Sequence, residues 1–552
     1  MKLKKMVIII IFCAISFVIG AIWVKAKVFP YKYLAGLEQV SLLSKKVAAP
    51  PTLPNFLETA FSRLKVKALK LDGTFALEHN GGGMVAIGNQ TIIVSKRGKF
   101  FLYASGDNAN DIKELDISLN INYQAFLSYV NQQGRDDKIV QDWFRFIDIL
   151  YRENDNGSSS LLMSHYFWHP EKECFTVRIS SLNVPDIQHL DTVSKSSADW
   201  TTIYDTTPCL KLKNKGFYFA GHFSGGRMAF LNDNELLFTV GFLGYDGLAS
   251  DVIYSQGTEG NYGKILKLNL KTAQVSDFSI GHRNPQGLTI DRKGNIWSTE
   301  HGPKGGDELN LIEQGANYGW PNVTYGVDYG STNWPLSEAP GRHDGYRRPV
   351  FAWVPSIGVS NVIEVQGFLP EWDGDLLVTS LKQQTLFRVR YVEDRAAFVE
   401  PINIGVRIRD IDQFDNGNIV IWSDETWIVE LTPGEDFVSP DIADYTVYLD
   451  ATEKQQAINA IHSCEMCHSL TPEGNNTAAP GLWGVYDRKI AGSSFERYSP
   501  ALRAKQGNWD EQNLNSWLED SNNFANGTSM VYPGISNPKV RKAVIDYIKA
   551  LQ

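Results

Sequence analysis

The chain has 552 residues, 43% hydrophobic and 21% charged, which excludes a disordered tail, a collagen-like rod and a lone small binding module. Lys and Arg number 53 against 62 Asp and Glu, a formal charge of −9 with no basic block, so nucleic acid is not an expected partner. Aromatic residues at 12%, with 46 Gly and 23 Pro, favour many short strands joined by tight turns.

At the N-terminus, Met1-Lys-Leu-Lys-Lys5 precedes an uncharged run from Val7 to Val24, closed by Lys25 and Lys27. The run is at the short end of what crosses a bilayer as a helix, and Val24-Lys25-Ala26 makes a poor cleavage site. Residues 1–27 are therefore read as an uncleaved anchor, with a cleaved signal peptide as the alternative, and 28–54 as a linker. Either form of export segment carries the rest of the chain across a membrane.

Residues 55–440 repeat one pattern, a Gly, Asn or Asp turn followed by alternating apolar residues. It recurs at Gly88–Val94, Asp233–Thr239, Lys293–Thr299, Gly374–Thr379 and Asn416–Ile421. Blade-like units of about 40–50 residues mark β-propellers, and a β-sandwich would not occupy so long a stretch. Residues 110–155 break the rhythm: Val140, Trp143, Phe144, Ile147, Leu150 and Tyr151 have helical spacing and predict an inserted amphipathic helix. Gly81-Gly82-Gly83 lacks the rest of a phosphate-loop pattern and reads as a turn leading into a strand. Cys174 and Cys209 are expected to form a disulfide in an oxidising compartment, two separately buried thiols being the alternative.

Polar residues gather beside Gly and Pro in Gly281-His-Arg283-Asn284-Pro, Thr299-Glu-His301-Gly302-Pro303 and Asn317-Tyr-Gly-Trp-Pro321. At strand ends such segments point side chains and carbonyls into a shared cavity, and their oxygen-rich backbone suits calcium. From Asp450 the chain turns helical, and Cys464-Glu-Met-Cys467-His468 has the spacing for covalent c-type haem attachment, with His468 as an axial ligand. Val540, Val544, Tyr547, Ile548 and Leu551 share one face of a closing helix.

Four separated motifs resemble the soluble-type, pyrroloquinoline-quinone (PQQ) dependent sugar dehydrogenases, the aldose sugar dehydrogenase branch in particular. The resemblance implies a six-bladed propeller with PQQ and calcium at one end of its channel. His222, in Ala220-Gly-His-Phe-Ser-Gly-Gly-Arg227, matches the catalytic base. Arg283 and Asn284 match the pair on the quinone, with His301 beside them, and Gly302 and Pro303 match the carbonyls that bind calcium. Lys382, Arg407 and Arg409 match the cationic clamp for the three cofactor carboxylates, a task suited to forked guanidinium donors. A histidine with its ordinary pKa near 6.5 is a natural acceptor for the sugar's hydroxyl proton. One departure stands out: the family carries Gly-Asp after the base, whereas Gly241 is followed here by Phe242, leaving Asp246 or Asp251 to supply a carboxylate. The motifs thin out before about residue 215.

Residues 450–552 resemble class I cytochromes c, on Ala479-Pro480-Gly-Leu-Trp-Gly484 and Gly527-Thr-Ser-Met530 as well as the haem motif. That resemblance implies Met530 as the distal iron ligand and the Pro480 carbonyl as the group that orients the His468 ring. The expected fold is mainly β, a six-bladed propeller (55–440) with an N-terminal membrane anchor and a C-terminal all-α cytochrome c domain (450–552). The expected function is that of an anchored quinohaemoprotein at the bacterial inner membrane, with both domains in the periplasm. It would oxidise an aldose or another small alcohol with PQQ, reduce its own haem, and pass electrons to a cytochrome or terminal oxidase. The alternative is a non-catalytic haem carrier or sensor whose propeller binds a ligand or partner.

Overall fold

The five turn-and-alternation segments each become the second strand of a blade built on four antiparallel strands, because a Gly, Asn or Asp turn lets the chain reverse from the innermost strand; the first blade adds the short parallel strand Ser194–Lys195 and the sixth adds Phe56–Glu58. The computed structural model describes residues 53–551 apart from 61, 72–80, 107–111, 135–137, 155–156, 186, 216, 331–332, 338, 340, 435–441, 466, 472–478, 494 and 531. Six blades follow in chain order, with innermost strands Gly83–Ile87, Phe146–Glu153, Gly225–Asn232, Pro285–Ile290, Val359–Glu364 and Ile408–Gln413. The N-terminal strand Arg63–Lys70 pairs antiparallel with Trp427–Pro433 of the sixth blade, so the two ends of the propeller sequence close the ring together.

The helix expected over 140–151 is corrected. Two short helices, Tyr123–Gln132 and Lys138–Trp143, end before the strand Phe146–Glu153, and Ile147, Leu150 and Tyr151 belong to that strand. Val140 and Phe144 do pack in the core shared by the first three blades, so the apolar spacing was real but ran across a helix–strand boundary. Cys174 and Cys209 form the expected disulfide, Cα to Cα 5.6 Å apart. Gly82 takes φ +83°, and any side chain there would strike the Val94 carbonyl, which accounts for the glycines ahead of the first inner strand.

One buried ion cluster ties all six blades at the waist of the channel. Arg227 of the third blade donates from Nη1 to Asp148 Oδ1 of the second at 2.7 Å and to Asp410 Oδ2 of the sixth at 2.9 Å. Its Nε reaches the Gln286 carbonyl of the fourth blade at 3.2 Å. Asp410 also accepts from Met84 N of the first blade at 2.9 Å and from Asn361 Nδ2 of the fifth at 2.6 Å. Arg227, Asp148 and Asp410 are all buried, so each charge depends on the others for solvation.

The C-terminal region is helical, with Ala451–Glu465, Glu511–Glu519 and Pro538–Ala550 as its longer helices around a separate apolar core. Asp450 caps the first: its Oδ1 accepts from Thr452 N at 2.9 Å and Glu453 N at 2.8 Å, while Glu453 Oε2 accepts from Asp450 N at 3.2 Å. The anchor expected over 1–27 lies outside the described residues; among those described, no helix is long and apolar enough to cross a membrane.

Replacing Arg227 by Met strands two buried carboxylates. The expected cost is about 3–5 kcal/mol, read as a marked fall in the thermal unfolding midpoint of the full-length protein.

Candidate active site and haem site

In an antiparallel blade the first strand starts where the second ends, so residues before the former and after the latter meet at one rim of the channel. His222, Arg283, Asn284 and Arg407 stand at or just before the starts of inner strands. His301, Gly302, Pro303 and Lys382 stand just after the ends of second strands. Arg409 is the second residue of its strand. The residues expected from sequence therefore converge on one rim from four blades.

His222 sits on a single 3-10 turn, Gly221–Phe223, packed against Trp143 with ring centroids 4.2 Å apart. Its Nδ1 is buried without a hydrogen-bond partner among the described residues. Burial, reinforced by the positive charges of Arg283 and Arg145 and by His301, pushes the imidazole down to about 3. It is neutral across the physiological range, in the form a proton acceptor needs. Neither alternative carboxylate supports it: Asp246 Oδ1 accepts from the amides of Leu248 and Ala249, both at 2.9 Å, and Asp251 pairs with Lys215 at 2.6 Å. Phe242 is buried with Trp320 and Trp334.

Arg283 lies over the rings of Phe223, Trp320 and Phe242, at 4.8, 5.1 and 5.3 Å from their centroids, and its Nη1 donates to the His301 carbonyl at 3.1 Å. Its backbone N–H donates to Glu300, whose other oxygen contacts His282 Nδ1 at 2.9 Å. Asn284 is occupied in the protein itself: its Oδ1 accepts from Gly225 N at 3.2 Å and its Nδ2 donates to the His222 carbonyl at 3.4 Å. It thus positions the turn that carries the histidine. Below Gly302 and Pro303, Asp307 accepts from Gly302 N at 3.1 Å and from the amides of Ile357 and Gly358 at 3.0 and 2.6 Å. Among the described residues no group of three or more His, Cys, Asp or Glu could hold a metal, so a cation here would rest on main-chain oxygens.

Arg407 and Arg409 share one buried carboxylate, Asp424. Arg409 makes the bidentate contact, at 2.7 and 2.9 Å, and Arg407 Nε donates at 3.2 Å. Burial works against the charge on Asp424, but Arg409 and Arg407 outweigh it and hold the carboxyl below its ordinary range. Lys382 is exposed at the same rim. Two guanidiniums and an ammonium against one carboxylate leave positive charge in excess, which an anionic ligand would neutralise.

In the helical region Cys464, Cys467, His468, Pro480 and Met530 line one cavity of about 300 Å³. His468 Nδ1 donates to the Pro480 carbonyl at 2.7 Å, which leaves Nε2 as the free ligand nitrogen. Met530 follows Thr528, whose hydroxyl accepts its backbone N–H at 3.4 Å.

The glucose/sorbosone dehydrogenase family matches residues 183–428. That stretch belongs to this family. The aldose sugar dehydrogenase YliI of Escherichia coli is 30% identical over 250 residues, 43% of this chain and 64% of its own length. The cytochrome c homolog of Rickettsia bellii is 43% identical over 86 residues, 16% of this chain and 50% of its own length. The chain thus spans under two thirds of each curated relative. A solved glucose dehydrogenase superposes with a TM-score of 0.51 at 22% identity, covering 67% of this chain and 99% of its own, and that likeness establishes the propeller fold. Within the glucose/sorbosone dehydrogenase stretch, Asp424, Glu300 and Asp307 hold the site residues in place, and what pairs them with those residues is the folding of loops and neighbouring strands rather than a local motif. Arg145, from outside the stretch, also reaches the rim.

Phe242→Asp is expected to move the His222 titration upward toward the ordinary range near 6.5, because a carboxylate favours the imidazolium and offsets Arg283. NMR titration of His222 in the cofactor-free protein checks this; the unsubstituted protein is expected to keep a neutral His222 down to about pH 5.

Proposed function

We propose that the chain is a quinohaemoprotein dehydrogenase that oxidises an aldose, or a related small alcohol, and delivers the electrons to its own c-type haem. The observation that carries this reading is a desolvated, neutral histidine at a rim where Arg407 and Arg409 share one buried carboxylate, in a chain that also bears a haem-attachment motif lining a cavity. The residues fit PQQ: the guanidiniums of Arg407 and Arg409 and the Lys382 ammonium match a planar tricarboxylate, and the carbonyls of Gly302 and Pro303 would hold calcium. PQQ, when bound, supplies a two-electron acceptor for hydride.

The chain's own groups do the rest. His222 takes the hydroxyl proton of the sugar on Nε2, Nδ1 being buried, and its neutrality keeps it ready at any physiological pH. Trp143 and Phe223 flank the ring and exclude water from it. Arg283, held over three aromatic rings, adds positive charge where the substrate oxygen becomes negative. His468 and Met530 would hold the haem iron, and a thioether ligand would raise its potential and disfavour oxygen chemistry. An N-terminal membrane anchor, a periplasmic location and a respiratory cytochrome or oxidase as final acceptor complete the proposal. Phe242 favours the rival reading, a propeller that binds a ligand without turnover, because it removes the carboxylate that the family sets beside the base.

The test loads the full-length haem protein with calcium and PQQ and follows reduction of an artificial dye by a panel of aldoses and simple alcohols. Turnover that requires PQQ, and that falls about 10²–10⁴-fold in His222→Ala with PQQ still bound, is the expected result. Tight PQQ binding without turnover on any substrate would establish the rival reading.

A further inference from the structure

Trp143, an aromatic neighbour of the base, comes from outside the glucose/sorbosone dehydrogenase stretch. It ends the short helix Lys138–Trp143, which precedes residues 183–428 and leads into the inner strand of the second blade. Its ring lies 4.2 Å from that of His222 at an angle of 42°, and it is half-buried, so part of the indole faces the open rim. Trp143 stands directly on the turn that carries the base: a Cβ on Gly221 would come within 3.0 Å of its own Cβ.

The helix end is fixed on both sides of the indole. Asp142, the residue before, pairs with the buried Lys96 of the first blade at 3.1 Å and with Arg97 at 3.5 Å. Phe144, the residue after, is fully buried and stacks on Phe126 at 4.1 Å, and its carbonyl accepts from Arg97 Nη1 at 2.8 Å. The indole is therefore in place before any ligand arrives, and a ligand that uses it meets little ordering cost. Other aromatics at this end of the channel are engaged differently. Phe223, Phe242 and Trp320 are covered by the guanidinium of Arg283, whereas among the described residues the ring partner of Trp143 is His222 and no cation lies over it.

A hydroxyl that gives its proton to Nε2 of His222 comes within about 3 Å of it. The carbon that bears this hydroxyl, and the atoms next to that carbon, then lie beside the exposed part of the indole. A pyranose with equatorial hydroxyls offers such a surface a flat face of C–H bonds, while a short open-chain alcohol offers a few carbons and no fixed face. We propose that Trp143 is a specificity-determining residue, an indole wall beside the base that favours a sugar ring over an open-chain alcohol. This role rests on the dehydrogenase reading above.

Steady-state dye reduction by the full-length haem protein, loaded with PQQ and calcium, tests it with the best aldose of the panel and with 1-propanol. The unsubstituted protein is compared with Trp143→Leu, which keeps an apolar prop on the turn but no flat face, and with Trp143→Phe, which keeps a smaller flat face. PQQ affinity, read by fluorescence, and melting temperature are measured for each. The expected result is a KM for the aldose raised about 10–100-fold in Trp143→Leu with a much smaller fall in kcat, a loss of kcat/KM on propanol about tenfold smaller than on the aldose, and a KM mostly kept in Trp143→Phe. The change in KM decides alone if propanol is not oxidised. An unshifted KM, a fall confined to kcat, or an equal loss on both substrates would overturn the role and leave the dehydrogenase reading intact. So would loss of PQQ affinity and a lower melting temperature in Trp143→Leu, which would make Trp143 a prop for the turn, and so would an unsubstituted protein that oxidises propanol but no aldose. Absence of turnover on any aldose or alcohol by the unsubstituted protein would sink the dehydrogenase reading, and the role of Trp143 with it.

Discussion

The guanidinium of Arg227, held between Asp148 and Asp410, is the interaction on which the ring depends. Adjacent blades pack face to face through apolar cores, but at their inner strands polar groups face a narrow channel and lose water on closure. A single charge cluster satisfied by all six blades makes that loss tolerable, since each ion is solvated by the others and by the Met84, Met228 and Gln286 backbone. It also fixes the radial register of the blades, and so the spacing of everything at the rim above.

At the rim the balance is reversed. Below, two carboxylates meet one guanidinium; above, guanidiniums and a lysine meet one shared Asp424. The same low-dielectric environment that drives His222 to its neutral form makes the surplus cations costly. The proposed proton acceptor and anion site would thus follow from one arrangement, positive charge concentrated where water is excluded. Phe242 fits that logic: an aromatic wall under Arg283 keeps the region dry, where a carboxylate would draw in a counter-charge and water.

Five of the six hairpins were legible because Gly, Asn or Asp turns stand directly before alternating strands. The sixth, Phe146–His169, was obscured when the apolar residues of the helix Lys138–Trp143 continued in register into the strand that follows. The haem site was legible because covalent attachment confines its chemistry to adjacent residues, and Pro480 and Met530 sit in recognisable short motifs. Arg283 was legible in its own Gly- and Pro-rich segment, whereas His222, Lys382, Arg407 and Arg409 were legible through the resemblance of their motifs to the PQQ-dependent sugar dehydrogenases. Asp424 and Asp410 were not: Asp424 meets Arg407 and Arg409 only when two strands of its blade pair, and the partners of Asp410 include Arg227 and Met84 on other blades.

The proposed two-electron site and the one-electron haem on one chain would make electron transfer intramolecular, its rate set by geometry within the molecule rather than by encounter. The most direct measurement is anaerobic stopped-flow mixing of the PQQ- and calcium-loaded protein with a substrate aldose while the haem α-band is followed. The account predicts haem reduction that needs PQQ and whose first-order rate is independent of protein concentration. A haem that stays oxidised while an added dye is reduced, or one reduced at a rate proportional to protein concentration, would contradict it.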